Sequence, residues 1–312
     1  YYKEDQDAIV VHAWKIFDDY LLDRLKYLYV EKYQQLLHSG IEGFSQEMII
    51  DKLKQYLNNI LLGDEIAAEY VLMFLFSQIL FKAGEKNIGP LPLNIFFKNT
   101  IPDEQAKEVI QNLNSFLQKI CLYFKTMTIT TNSMNKTAFY SYYDQNTEDL
   151  IKGELQLPDK TFVSLNELEL NEGKLEDRGC RNFACIKNLI DFQYITYEYP
   201  FNQLQMPHDL QVLIFTKEKK SLFNSHFVTL LPFEFKGNSK MNIEMDEKMV
   251  ELIFLYINHI KMDKKYLESV EFKEEISKQI LDDYLAGNKA FNSDKFEAVL
   301  KLSRIHAISK MQ

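Results

Sequence analysis

Arginine is scarce in this sequence, and so is cysteine. Four of the 36 Lys and Arg residues are arginines, namely Arg24, Arg178, Arg181 and Arg304. Few side chains can therefore supply the guanidinium geometry on which an arginine finger depends. The three cysteines in 312 residues do not form a disulfide framework, and they favour a reducing compartment.

Concentrated positive charge and long apolar runs are also missing. The net charge is −9, and no block of Lys and Arg stands clear of acids, which argues against a dominant nucleic-acid footprint. No uninterrupted run reaches the roughly 18 apolar residues of a membrane span. The opening residues, YYKEDQDA, lack an initiator Met and are not a signal peptide. We therefore expect the chain to begin inside a longer protein.

The distribution of apolar residues predicts strands mixed with helices, followed by helices alone. The most apolar stretch, Leu61 to Phe81, predicts a turn and then a helix that is covered on several sides. The other predicted helices are 8–38, 46–61, 102–124, 182–191, 243–262, 266–286 and 293–310. The predicted strands are 93–99, 125–131, 194–199 and 211–216, with two short apolar runs at 150–157 and 161–168 joined by a turn. This order indicates an α/β body with a helical C-terminal bundle.

The residues alone support no enzyme. The six histidines are scattered singly, and Cys180 and Cys185 have no partners at zinc spacing. The acidic run 166–172 could hold a metal, although a solvated loop explains it better. The aromatic segment 194–201 could stack on bases, although its interleaved acids favour a hairpin surface or core.

Several motifs nevertheless occur in one order. GDEIAAEYVLMFLF begins at Gly63 and GELQLPDKTFVSLNEL at Gly153; QVLIFT (211–216) and FNSDKFEAVLKLSRIHAISKM (291–311) follow. They resemble the Walker A region, Walker B strand, sensor strand and lid helix of the minichromosome maintenance (MCM) helicase subunits, which are AAA+ proteins. The chain resembles the MCM complex-binding protein family more closely. That family's patterns Gly-Asp-x-x-Ala-Ala-Glu-Tyr and Gly-x-Leu-Gln-Leu-Pro match 63–70 and 153–158.

The resemblance implies a degenerate nucleotide site. Glu69 stands where the phosphate-binding Lys would be, and it places a like charge against phosphate. Tyr70 replaces the small hydroxyl that binds Mg²⁺, and Asn166 replaces the Walker B Asp. The assigned positions are Gly63, Asp64, Glu69, Tyr70, Asn166, Glu167 and Asp294. The helical pattern of 47–62 departs further, since a P-loop follows a strand.

The fold class implied by the resemblance is α/β, with a degenerate AAA+ (P-loop NTPase-like) core, a C-terminal helical lid and an N-terminal helical segment. We expect the N-terminal segment at 1–45, the core at 46–240 and the lid at 241–312. Without a working nucleotide site, function would depend on the protein surface.

The implied function is non-catalytic binding of MCM helicase subunits, in their assembly, stability or chromatin release during DNA replication. The implied setting is the nucleus and also the cytoplasm, with roles in the cell cycle and sister chromatid cohesion. No cofactor, metal, membrane or small-molecule substrate is expected. The 194–205 region matches the place of helicase pore hairpins but lacks a basic tip, so we expect no DNA binding there. Two alternatives remain: an ATPase in which Asn166 and Glu167 hold Mg²⁺, and an interaction module with other partners.

Overall fold

The computed structural model describes residues 31–32, 35, 45–83, 86–217, 220–223, 227–231, 246–263, 266–267, 270, 275, 278–279, 282 and 293–310. The helices of eight or more residues in this part of the chain are α1 (Gln46–Ile60), α2 (Glu65–Phe76), α3 (Asp103–Ile120), α5 (Asp177–Phe192), α6 (Glu247–Met262) and α7 (Ser293–Lys310), and α4 (Thr131–Lys136) is shorter. The strands are β1 (Phe81–Ala83), β2 (Lys86–Ile88), β3 (Leu93–Phe97), β4 (Phe124–Thr128), β5 (Ser141–Asp144), β6 (Asp149–Ile151), β7 (Phe162–Asn166), β8 (Tyr194–Glu198), β9 (Gln203–Pro207), β10 (Gln211–Lys217) and β11 (Phe227–Leu231).

A five-stranded parallel sheet lies at the centre of the fold, in the order β11-β3-β10-β7-β4. Its middle strand is β10, the QVLIFT segment, whose two faces are both buried. Leu213 and Phe215 belong to one hydrophobic core, and Val212 and Ile214 belong to the other. An apolar run without alternation is what a strand covered on both faces requires. The mixed α/β class predicted from the sequence is therefore confirmed.

The two cores separate the helices into layers. The first contains α1, α2, α3, α6 and α7 against β3, β10 and β11. The second core contains α5 and residues of a smaller four-stranded sheet, whose strands are ordered β6-β5-β8-β9. No helix in the described residues is long and apolar enough to cross a membrane.

The apolar helix α2 ends earlier than its composition predicts. It spans Glu65–Phe76, so the prediction that it continues to Phe81 is wrong. The hydroxyl of Ser77 donates to the carbonyl of Phe74 at 2.7 Å, and the buried amine of Lys261 donates to the carbonyl of Ser77 at 2.9 Å. A cation at the carbonyl end of a helix is favourable. Burial lowers the pKa of Lys261 to about 8.

The buried side chain of Asn182 in α5 bonds the chain that leads into the smaller sheet. Asn182 accepts a bond from the backbone N–H of Phe139 at 2.7 Å and donates to the carbonyls of Met134 and Thr137 at 2.7 and 2.6 Å. Every bond that this amide needs in an apolar setting is therefore made. The side chain holds the turn before β5 against the helix.

Several sequence predictions can be compared with these elements. Strands are confirmed at 93–97 and 211–217, and α1 begins after Ser45, whose hydroxyl accepts from the N–H of Met48. The runs 150–157 and 161–168 do not form a pair: their strands, β6 and β7, lie in different sheets. Most of the predicted helices 8–38 and 266–286, and the predicted boundary at residue 240, lie outside the described residues.

Candidate functional site

The carboxyl edge of the central sheet is the candidate site, because open α/β sheets bind ligands outside the carboxyl ends of their strands. Three segments meet there: the loop 98–102 after β3, the end of β7 at Asn166 and Glu167, and the end of β10 at Lys217. β10 lies between the other two strands in the sheet.

The loop 98–102 has the connectivity of a phosphate loop without its chemistry. It joins a strand directly to helix α3, but its residues, KNTIP, include no glycine. Pro102 is the N-cap of α3 and has no N–H to offer a phosphate. Asp103 and Glu104 fill the first turn with negative charge at the helix end that would attract an anion.

Lys217 occupies this edge through an ion pair with Asp103. The hydrogen bond and charge of Lys217 lower the pKa of Asp103. The lysine side chain is largely buried. Lys217, which lies at the amino end of α3, is thus already paired inside the chain.

Glu167, at the end of β7, is buried and bound by the segment that follows β10. Its carboxylate accepts a bond from the hydroxyl of Ser221 at 2.9 Å and another from the N–H of Leu222 at 3.1 Å. Burial raises its pKa from 4.5 to about 7, against the opposing effect of these two bonds. The carboxylate of Glu167 therefore has hydrogen-bond donors for both of its oxygens within the protein.

The side chain of Asn166 bonds to the backbone two residues further along the chain. Its side-chain oxygen accepts from the N–H of Leu168 at 3.0 Å. No group of three or more His, Cys, Asp or Glu side chains that could hold a metal is present in the part of the chain that the structure describes. The oxygens of Asn166 and Glu167 that the ATPase alternative assigns to Mg²⁺ both accept bonds from the protein.

The 63–70 stretch lies in a different structural context. Gly63 and Asp64 form the turn between helices α1 and α2, so this stretch does not follow a strand. Asp64 is the N-cap of α2 and accepts from the N–H of Ala67 at 2.9 Å. Glu69 pairs with Lys54 of α1, and its carboxylate lies 3.4 Å from the ring nitrogen Nδ1 of His306 in α7. Tyr70 is half-buried against the first core.

The sequence did not identify the groups that fill the edge. Lys217, Ser221 and the 98–102 loop were not among the assigned positions. The loop could have been found, because a predicted strand and a predicted helix flank it directly. Asp294 lies in the first turn of α7, and its side chain is outside the described residues.

Replacing Glu167 by Gln should stabilise the protein at pH 8 but not at pH 5. The folded protein keeps the Glu167 proton up to about pH 7, whereas the unfolded chain releases it near 4.5. The unmodified protein therefore loses stability as pH rises from 4.5 to 7, by up to about 3 kcal/mol. A glutamine does not ionise, so the Glu167→Gln variant does not lose this stability as pH rises. Its uncharged amide oxygen accepts a weaker hydrogen bond than the carboxylate does. Urea unfolding at pH 5 and pH 8 measures the difference.

The matched control is Glu169→Gln, because Glu169 lies in the same acidic run with an exposed side chain. Its stability should follow the unmodified protein across the pH range. Parallel pH dependences for Glu167→Gln and the unmodified protein would contradict the assignment of Glu167 as a buried acid.

The 194–205 region does form a hairpin. Strands β8 and β9 pair antiparallel from Tyr194–Pro207 to Glu198–Gln203, and the N–H of Tyr199 donates to the carbonyl of Asn202 at 2.8 Å across the turn. Residues 194–207 include no Lys, Arg or His. That this hairpin does not bind DNA stays a prediction, which filter binding can check through the salt dependence of any affinity.

Comparison with known proteins identifies the family. The family model described as mini-chromosome maintenance replisome factor matches residues 23–312. The chain belongs to this MCM-binding family. Proteins named mini-chromosome maintenance complex-binding protein are similar to it: those of Gallus gallus and Homo sapiens are each 26% identical over 283 residues, and that of Arabidopsis thaliana is 28% identical over 180 residues.

These alignments cover more than half of this chain but less than half of each relative. The Gallus gallus and Homo sapiens alignments cover 87% of this chain but 43% and 42% of the relatives, and the Arabidopsis thaliana alignment covers 58% and 30%. The chain therefore spans less than half the length of the curated relatives that it matches.

Proposed function

We propose that this chain binds MCM helicase subunits as a non-catalytic module. The observation that carries the proposal is the family match over residues 23–312, together with relatives named as MCM complex-binding proteins. The module would serve in the assembly, stability or chromatin release of MCM complexes during DNA replication. Its place of action would be the nucleus and also the cytoplasm.

The proposed core is a degenerate AAA+ domain that neither holds nor hydrolyses nucleotide. Its support is the carboxyl edge of a parallel α/β sheet, where the loop after β3 lacks glycine. Acids and a proline begin α3, and Glu167 is satisfied by Ser221 and Leu222. A phosphate group there would meet the negative charge of Asp103 and Glu104, and Pro102 at the N-cap would offer it no N–H.

Two measurements on one preparation test the proposal. Calorimetric titration with ATP and Mg²⁺ should give no binding up to about 1 mM, a concentration that would saturate any site of micromolar affinity. Immobilised chain should capture one or more purified MCM subunits, each tested separately.

The outcomes separate the two claims. ATP binding in the micromolar range that Glu167→Ala removes would contradict the degenerate site. Failure to capture any MCM subunit would contradict the partner assignment. The control for capture is the unfolded chain, which should retain none of the subunits if the folded surface is responsible.

A further inference from the structure

Two hairpin tips lie together at one end of the smaller sheet. Strands β5 and β8 pair in parallel, with Ser141 opposite Tyr197 and Tyr142 opposite Glu198. Both strands therefore reach their turns, 145–148 and 199–202, at the same end. The rings of Tyr143 and Tyr199 stack with centroids 6.3 Å apart and connect the two tips.

This end, defined by residues 143–149 and 199–204 and called the tip end, exposes apolar side chains. Phe201 is fully exposed (101% of its reference area), and Tyr199 and Leu204 are 38% and 43% exposed. A single exposed apolar residue is ordinary, but adjacent aromatic residues at a hairpin end are typical of binding surfaces. The turn fixes their backbone, and the ring of Tyr199 is held against Tyr143, so binding would order little beyond the side chains of Phe201 and Leu204.

The charge of the tip end has one sign. Residues 141–151 and 194–207 contain Asp144, Glu148, Asp149 and Glu198 and include no Lys, Arg or His. Arg181 of α5 pairs with Glu198 at 2.8 Å, which leaves Asp144 and Glu148 as charges presented with Phe201. Glu148 and Asp149 are both exposed.

We propose that the tip end is a protein-docking site whose partner surface carries Lys and Arg residues around an apolar pocket for Phe201. This inference rests on the proposed function, because it identifies the part of the chain that contacts an MCM subunit. An exposed aromatic side chain surrounded by acidic residues is complementary to an apolar pocket surrounded by basic residues.

Other occupants fit the tip end less well. Nucleic-acid phosphates and anionic lipid surfaces would be repelled by the acids, and Arg181, which lies beside this end, is already paired with Glu198. A second copy of this chain would present the same acids, and each copy has a net charge of −9. The partner is therefore a basic protein surface.

The test compares binding of the full chain and its variants to the MCM subunit that the unmodified chain captures. Phe201→Ser should weaken binding by about tenfold or more, since removing an anchoring aromatic side chain has effects of this size. The matched control is Val299→Ser, which removes another exposed apolar side chain, on α7, and should leave the affinity unchanged. Both residues are exposed, so unchanged circular dichroism spectra should confirm folding of the two variants.

Charge is tested separately with Glu148→Lys. This variant should associate more slowly at low salt, and its difference from the unmodified chain should disappear by about 0.5 M salt.

Four outcomes would overturn the inference. Capture by the unmodified chain with no loss in Phe201→Ser and Glu148→Lys would overturn it and leave the proposed function intact. No capture by the unmodified chain would overturn the proposed function and the inference with it. A dimer that Phe201→Ser dissociates in sedimentation experiments would show that the occupant is a second copy. Salt-sensitive binding of single-stranded DNA that Phe201→Ser weakens would show a nucleic-acid surface.

Discussion

Replacing Asn182 by Asp is expected to destabilise the protein by at least about 4 kcal/mol at pH 8. The amide of Asn182 donates to the carbonyls of Met134 and Thr137 and is completely buried. A carboxylate would place an oxygen against those two carbonyl oxygens and bury an unpaired charge. Protonation would restore one O–H donor, so the loss should be smaller at pH 5.

Urea unfolding followed by circular dichroism at pH 5 and pH 8 measures this effect. Asn112→Asp is the control: it makes the same chemical change at an exposed position within α3. The control should differ from the unmodified protein by less than about 0.5 kcal/mol. If Asn182→Asp were as mild as Asn112→Asp, the three bonds of Asn182 would not be what holds the turn before β5 against α5.

Replacing Asn182 by Asp should also affect partner binding, because Asn182 lies against the chain that leads to the tip end. Asn182 fixes the turn that precedes β5, and β5 carries the first of the two hairpin turns at the tip end. Loosening this turn would let β5 shift against β8 and so displace Tyr143 from Tyr199. Asn182→Asp should therefore weaken partner binding even where the central sheet remains folded.

The sequence predicted those elements that are specified by local residues. The strand at 211–217 could be predicted because consecutive apolar residues bounded by polar ones suit a strand buried on both faces. The start of α1 could be predicted because Ser45 caps it locally. These features require no knowledge of distant contacts.

Features that depend on distant partners were not predicted. The end of α2 at Phe76 involves Lys261, which is 184 residues beyond Ser77 and donates to its carbonyl. Composition alone lets the apolar run continue as helix to Phe81. The separation of β6 and β7 into different sheets depends likewise on their partners, β5 for one and β4 and β10 for the other.

At the candidate site, too, the positions of residues in the chain could be predicted but their distant contacts could not. Glu167 was assigned from its place in the segment that carries the family resemblance, whereas the residues alone favoured a solvated loop at 166–172. Its burial under Ser221 and Leu222 was not predicted, because those residues follow a different strand. Glu69 was assigned by motif position, and its partners come from α1 and α7. A motif locates a residue in the chain, whereas the fold decides what that residue contacts.

Gly153→Ala is expected to cost at least about 3 kcal/mol, because the site has no room for a methyl group. A Cβ at this position would lie 2.4 Å from the carbonyl oxygen of Phe139 and 2.4 Å from the carbonyl carbon of Tyr140. Both obstacles are backbone atoms, so a rotamer change cannot relieve the overlap. The glycine of the Gly-x-Leu-Gln-Leu-Pro segment is thus explained by close packing, not by contact with a ligand.

The segment around Gly153 would have to move away from 138–141 to admit the methyl group. That movement would break bonds from the N–H groups of Glu154 and Leu155 to the carbonyls of Ala138 and Phe139, at 3.1 and 3.0 Å. These bonds connect the chain between β6 and β7 to the start of β5. The loss should therefore spread to the smaller sheet and appear as faster hydrogen exchange in β5 and β8.

Gly63→Ala is the matched comparison, because Gly63 belongs to the other motif of the family resemblance. Its φ of +80° makes a side chain unfavourable, but a Cβ there would meet no atom within 4 Å. The expected cost is about 1 kcal/mol, from backbone strain alone. Denaturant unfolding of the two variants should thus rank Gly153→Ala well below Gly63→Ala in stability. Equal costs would mean that the 139–140 backbone moves aside easily, and that the contact between residues 153–155 and 138–140 is weaker than its distances indicate.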